Sequence, residues 1–101
     1  MEYTVQDAPN GKKIEFSGQL TFRDHNSFNE IIDLLKETGI NSCIFDLTKT
    51  DFIDSAALGM LLLVREAAIT ENVKLILRGV TGSVRDIMDV ADFGAMLTIE
   101  D

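Results

Sequence analysis

The sequence is poor in the residues that build most catalytic and metal sites. Among 101 residues there is one cysteine, Cys43, one histidine, His25, and no tryptophan. A single cysteine excludes an internal disulfide, and one cysteine with one histidine makes no strong set of metal ligands. Since Cys43 lies in an apolar run and His25 among polar residues, we expect a buried thiol and a solvated imidazole. An independent enzyme is therefore not favoured.

Basic residues are scarce as well. Nine Lys and Arg residues stand against 17 Asp and Glu residues, which gives a net charge of −8 at pH 7. That charge disfavours nucleic acids and anionic membranes as partners. The longest apolar stretch, Ala56–Val64, is far shorter than the ~20 residues of a membrane-spanning helix, and Met1–Thr4 lacks the features of a signal peptide. We expect one cytoplasmic domain over residues 1–101, monomeric when free.

Hydrophobic patterning predicts a mixed α/β fold. Two short strands, Tyr3–Val5 and Lys13–Ser17, flank the turn signal Ala8–Gly11, which is typical of a hairpin. The later runs Cys43–Leu47 and Val73–Leu77 resemble buried strands of a parallel sheet. Helices between these strands require parallel, right-handed crossovers. The expected fold is a four- to five-stranded mixed sheet with an N-terminal hairpin and helices mainly on one face.

Helical spacing predicts three helices between and after the strands. The first starts near Thr21 and Asp24, which have capping-box spacing, and runs through Glu37. The second covers about Ser55–Thr70 after a predicted loop at Thr48–Asp54, and the third covers Ser83–Val90. The segment Met96–Ile99 is predicted to form a last edge strand.

The segment Asp54–Gly59, which reads Asp-Ser-Ala-Ala-Leu-Gly, is the most informative motif. It places the hydroxyl of Ser55 at a strand-to-helix junction, where a serine can act as a helix N-cap. Small residues along the first helical turn leave the backbone open to another protein. A phosphate on Ser55 would add roughly −1.5 to −2 charge at a helix N-terminus, which favours anions. The fold would tolerate that phosphate, whereas a partner packed on the bare hydroxyl would not.

Around this motif the sequence resembles a known family. Over Phe45–Leu47, Phe52–Gly59 and Leu61–Leu63, it resembles the STAS domain of bacterial anti-sigma-factor antagonists. The resemblance is weaker over Phe16–Leu20. The resemblance implies the STAS fold and a partner switch. The unphosphorylated protein would bind a serine-kinase-type anti-sigma factor or related regulator, and phosphorylation of Ser55 would release it. A PP2C-type phosphatase would reset the switch, which would control transcription, biofilm formation or motility.

The resemblance also implies where the chemistry lies, and the motif itself indicates a contact surface. ATP and Mg²⁺ would belong to the kinase, so this chain would need no cofactor of its own. Family members often carry an Asp after the Gly-x-Leu turn where this chain has Thr21, which suggests a divergent branch. We expect Leu58 to be partly buried, with Ala57 and Met60 nearer the exposed edge. The predicted partner-binding residues are Thr21, Phe22, Asp24, Lys49, Thr50, Asp54, Ala56, Ala57, Leu58 and Gly59.

Two other functions remain open from the sequence. The chain could be a structural STAS subunit that never cycles, as in a lipid-transport or stressosome-like assembly. It could also be a small enzyme or nucleotide binder that uses Ser55. A stable complex unaffected by Ser55→Asp would favour the first, and turnover lost in Ser55→Ala would favour the second.

Overall fold

A five-stranded mixed sheet carries three helices in the computed structural model, which describes residues 1–90 and 98–100. The strands are β1 (Glu2–Ala8), β2 (Gly11–Leu20), β3 (Ser42–Ile53), β4 (Lys74–Arg78) and β5 (Thr98–Glu100). The helices are α1 (His25–Leu35), α2 (Ser55–Thr70) and α3 (Gly82–Val90), and a 3₁₀ turn at Phe22–Asp24 precedes α1.

The strands lie side by side in chain order, β1-β2-β3-β4-β5. The strands β1 and β2 are antiparallel, and their turn places Asn10 at a φ of 66°, a conformation that asparagine tolerates well. Each later pair is parallel, so a helix must carry the chain back between successive strands. The predicted mixed sheet with an N-terminal hairpin is confirmed.

The core lies on one face of the sheet. Along the strands, buried side chains alternate with half-exposed ones, as in Cys43, Phe45 and Leu47 of β3. Phe16 of β2 lies at the centre, with its ring 5.1 Å from that of Phe45 and 6.2 Å from that of Phe28 in α1. Because buried residues of all three helices join this one cluster, the helices cover the same face.

The predicted loop at Thr48–Asp54 is wrong, because β3 continues to Ile53. The β2–β3 register shifts twice in this stretch, and each shift adds one extra residue to β3. The buried positions therefore recur every third residue, at Leu47, Thr50 and Ile53. Such bulges erase the alternation by which a strand is recognised in a sequence.

The other boundaries differ only at their ends. The first predicted helix divides into the 3₁₀ turn and α1, which ends at Leu35 rather than Glu37. The described edge strand, β5, pairs in parallel with β4, whereas Met96 and Leu97 of the predicted strand fall outside the described residues. Within the described ranges, no helix combines the length and apolar character needed to cross a membrane.

Two leucines on α2 provide a direct test of this packing. Leu61 is fully buried, whereas Leu63 is 61% exposed. We expect Leu61→Ala to lower the free energy of unfolding by about 2–5 kcal/mol, because it removes buried methyl groups and leaves a cavity. The matched variant Leu63→Ala should change it by less than about 0.5 kcal/mol. Urea titration measures both values, and equal losses would contradict the orientation of α2.

Candidate functional site

The parallel pairing of β2 and β3 brings two distant segments of the chain together. Leu20 and Ile53, the last residues of these strands, are direct partners in the sheet. The main-chain N–H of Asp54 also donates to the carbonyl of Leu20 at 3.1 Å. The turn that follows β2 and the start of α2 therefore lie at the same edge of the sheet.

The carboxylate of Asp54 holds these two segments together. Its Oδ1 accepts a hydrogen bond from the N–H of Ala57 at 2.7 Å, and its Oδ2 accepts one from the N–H of Phe22 at 3.3 Å. The backbone of Asp54 is extended, at φ −93° and ψ 173°, as expected of an N-cap. Asp54 therefore caps α2, and the interpretation of Ser55 as the cap is wrong.

Ser55 is the first residue of α2, and it is exposed. Within residues 1–90 and 98–100, no hydrogen bond engages its hydroxyl, since Asp54 already caps the helix. The next exposed position on this side of the helix is Gly59, where an added Cβ would have no atom within 4 Å. The hydroxyl therefore lies on an open surface with no part in holding the fold.

The observed burial along α2 shows that two predicted exposures are wrong. Ala57 is fully buried and Met60 is 9% exposed, whereas both were expected nearer the exposed edge. The half-buried state of Leu58 agrees with the prediction that it is partly core. The exposed stripe instead runs through Ser55, Gly59 and Leu63, which are spaced four residues apart.

The turn after β2 presents an exposed aromatic ring beside this stripe. Asp24 Oδ2 accepts from the N–H of Thr21 at 2.9 Å, and Thr21 Oγ1 accepts from the N–H of Arg23 at 3.3 Å, which confirms the predicted capping box. Phe22 is 61% exposed, and its ring stacks on that of His25 with centroids 5.0 Å apart. The His25 Nδ1–H donates to the carbonyl of Phe22 at 3.0 Å, which fixes the imidazole against the turn.

Two depressions flank Phe22. The larger is an open cleft of about 680 Å³ that is lined mainly by polar side chains, including the carboxylates of Asp24 and Asp54. The smaller is an apolar groove of about 180 Å³ between α1 and α2. The cleft is lined by Met1, Gln19, Thr21, Phe22, Arg23, Asp24 and Asp54, and the groove by Phe22, His25, Phe28, Asn29, Ile32, Met60 and Leu63.

Not all predicted contact residues meet at this surface. Thr21, Phe22, Asp24 and Asp54 come together in the cleft. Lys49 instead borders a shallow depression beside Glu15 and Phe16, along the bulged part of β3.

The side chains of Thr50 and Ala57 are buried, at 7% and 0% exposure. Ala56 is half-buried beside Ser55, which leaves Ser55 and Gly59 as the exposed residues of the motif.

The site carries little chemistry of its own. Cys43 lies in the core, and burial raises the pKa of its thiol to about 12, so the thiolate nucleophile is suppressed. Across the described part of the chain, no three His, Cys, Asp or Glu side chains cluster in a way that could hold a metal ion. The arrangement offers an accessible hydroxyl, an exposed ring and hydrogen-bonding groups, which are elements of a recognition surface.

Comparison with known proteins identifies the family. The STAS domain family matches residues 2–101, and the chain belongs to that family. A STAS-domain containing protein of Pseudomonas aeruginosa (strain UCBPP-PA14) is 30% identical over 101 residues, which cover 98% of this chain and 99% of the relative.

Solved structures share the fold at low sequence identity. The anti-sigma factor antagonist SpoIIAA in its unphosphorylated form and the Bacillus cell fate determinant SpoIIAA in its phosphorylated form are each 16% identical, with TM-scores of 0.76 and 0.70. The match covers 99% of this chain in both cases, and 88% and 92% of the respective SpoIIAA chains. A sulfate transporter family protein from Wolinella succinogenes is 20% identical with a TM-score of 0.73, over 84% of this chain and 69% of that one. The fold is thus the STAS fold, shared by proteins with different roles.

Several residues that line the cleft and the groove were not predicted from the sequence. Among them, Gln19 lines the cleft and Leu63 borders the groove, whereas Arg23, also in the cleft, lies within the predicted contact segment Thr21–Asp24. Leu63 was detectable, because it continues the four-residue spacing of Ser55 and Gly59 along one helix face. Gln19 carried no such signal, since its place depends on the turn after β2.

The cap assignment can be tested by comparing adjacent substitutions. We expect Asp54→Ala to lower the free energy of unfolding by about 0.5–2 kcal/mol, because α2 loses its N-cap. Ser55→Ala should change it by less than about 0.5 kcal/mol, because the exposed hydroxyl supports nothing in the fold. Chemical denaturation of both variants provides the comparison. A larger loss from Ser55→Ala would show that the serine is the cap.

Proposed function

We propose that this chain is a cytoplasmic partner-switching regulator of the anti-sigma-factor antagonist type. In its unphosphorylated form it binds a serine-kinase-type anti-sigma factor or a related regulator, and phosphorylation of Ser55 releases it. The observation that carries this proposal is the exposed Ser55 hydroxyl at the first residue of α2, free of any structural hydrogen bond within the described ranges. Membership of the STAS family supports it.

At the position of Ser55, a phosphate has different effects on the fold and on the binding of a partner. The first N–H groups of a helix have no partner within the helix, and the helix dipole favours a negative group beside them. A phosphate on Ser55 is therefore compatible with α2. The same phosphate adds bulk and roughly −1.5 to −2 charge to a surface on which a partner would pack. Phosphorylation would thus act on the complex rather than on folding.

The exposed residues around Ser55 suit a protein partner. Phe22 and Leu63 are each 61% exposed, and both border the apolar groove between α1 and α2. Exposed aromatic and aliphatic side chains beside a groove are typical anchors of protein interfaces. We therefore place the partner surface over Ser55, Gly59, Leu63 and the turn carrying Phe22.

The remaining parts of the cycle come from the partners. A kinase would supply ATP and Mg²⁺ and use Ser55 as its protein substrate, and a PP2C-type phosphatase would remove the phosphate. The similar fold of SpoIIAA, known in unphosphorylated and phosphorylated forms, supports a cycle of this kind. The output would be control of transcription, biofilm formation or motility.

The proposal is tested by mass spectrometry of the chain purified from its native cell, beside capture experiments with three forms. We expect phosphate on Ser55, and a kinase captured by wild type and Ser55→Ala but not by Ser55→Asp. The physical reason is that the aspartate introduces a charge into the packed surface. Titration of the purified kinase against each form then gives the affinities.

The opposite result would favour a different function. A partner held equally by all three forms, with no phosphate on Ser55 under any growth condition, would overturn the switch. It would indicate a structural STAS subunit, and a match to a sulfate transporter family protein shows that the fold also occurs outside the antagonists.

Gly59 provides a second test, in which stability and binding should move in opposite directions. Glycine within a helix costs up to about 1 kcal/mol relative to alanine, and nothing in the described structure would contact a Cβ at this position. We expect Gly59→Ala to raise the free energy of unfolding by roughly 0.5–1 kcal/mol. The same methyl group should weaken kinase binding, because it lies on the surface that the partner approaches.

A matched control for that experiment is Ile69→Ala, which changes an exposed residue at the far end of the same helix. Denaturant titration and binding measurements on both variants separate the two effects. If Gly59→Ala binds the kinase as tightly as wild type, the partner does not pack over the first two turns of α2.

A further inference from the structure

We propose that Asp54 couples the phosphorylation state of Ser55 to the position of Phe22. The coupling rests on the proposed function only in taking Ser55 as the phosphorylated residue. Asp54 precedes Ser55 directly, and its two carboxylate oxygens serve different segments of the chain. A change at Ser55 therefore acts on a group that also holds the turn after β2.

The two hydrogen bonds of Asp54 are unequal. The bond from Ala57 to Oδ1 measures 2.7 Å and is partly buried, whereas the bond from Phe22 to Oδ2 measures 3.3 Å and is exposed. A long, exposed hydrogen bond is weak, because water competes for both of its groups. The bond to Phe22 is therefore the one that yields first when the carboxylate shifts.

A phosphate on Ser55 would displace the Asp54 carboxylate in two ways. It places a second anion on the residue next to Asp54, and the two like charges repel each other. It also competes for the N–H groups at the start of α2, which attract anions. Both effects disfavour the present placement of the Asp54 carboxylate. The exposed bond to the N–H of Phe22 opens as a result.

Loss of this bond affects the apolar groove, because the ring of Phe22 forms part of its wall. Its exposed ring stacks on His25 and forms one side of the apolar groove, opposite Met60 and Leu63 of α2. The capping box within the turn does not involve Asp54, so the turn keeps its internal hydrogen bonds. Phosphorylation thus changes how the turn is attached to α2, and alters the groove as well as Ser55 itself.

The coupling can be measured on the chain alone, with phosphoserine installed at position 55 during translation. We expect hydrogen exchange of the Phe22 amide, followed by NMR, to accelerate about three- to tenfold, as loss of one exposed hydrogen bond predicts. The amide of Arg23 is the internal control. It bonds Thr21 Oγ1 at the same 3.3 Å distance but does not contact Asp54, so its exchange should not change.

One further variant completes the experiment. Asp54→Asn retains an oxygen that can cap α2, but its amide nitrogen cannot accept from Phe22. In this variant the Phe22 amide should already exchange fast, and phosphoserine at position 55 should add nothing.

The coupling is overturned if phosphoserine at position 55 leaves the Phe22 amide unchanged, or if Asp54→Asn shows the same acceleration as the wild-type background. An equal acceleration at Arg23 would also overturn it, because it would mean general loosening of the turn. Since the phosphate is installed rather than acquired, these outcomes concern only the coupling. Absence of phosphate from the native chain would overturn the proposed function instead.

Discussion

The surface around Ser55 depends on one carboxylate. Asp54 accepts hydrogen bonds from the N–H groups of Ala57 and Phe22, which lie 35 residues apart in the chain and belong to different segments. A carboxylate provides a separate oxygen for each of these two bonds, whereas an asparagine amide or a serine hydroxyl has only one acceptor oxygen. Asp54, the acidic residue before the serine, therefore has a structural role that is independent of phosphorylation. It also frees the serine hydroxyl, because the capping position is already occupied.

The topology of the sheet determines which segments can meet at this carboxylate. Since β2 and β3 are parallel neighbours, the residues that follow each strand emerge at the same edge. Helices then begin near this edge, which is why exposed helix N-termini and turn residues form a continuous surface there. Sites at the carboxyl ends of parallel strands arise repeatedly in α/β folds for this reason. At the other end of the sheet, main-chain hydrogen bonds link segments of the chain: the carbonyl of Asn10 accepts from the N–H groups of Asn41 and Ser42 at 2.8 and 3.1 Å.

The sequence predicts the order of elements well, because helices and strands with regular spacing carry their own signal. It fails at β3, where two bulges change the period of burial from two to three residues. It fails again on the cap, since Asp54 and Ser55 are both good capping residues and only the backbone angles distinguish them. Likewise, helical spacing defines a stripe but not which side faces the sheet, and so Ala57 was placed on the wrong side. In each of these cases, tertiary packing determines the structure, and local sequence preference does not.

The two faces of α2 have separate roles, so a change on the exposed face need not disturb the fold. Leu61 and its buried neighbours bind the helix to the sheet, while the opposite stripe of Ser55, Gly59 and Leu63 contributes little to that packing. Because the two faces share one rigid helix, the exposed stripe is held in place without needing large side chains of its own. Its first two positions, Ser55 and Gly59, can then be small, at a modest cost in helix stability. A rigid, open stripe of this kind suits the proposed function, in which a partner packs on the bare serine and a single phosphate on Ser55 prevents that contact.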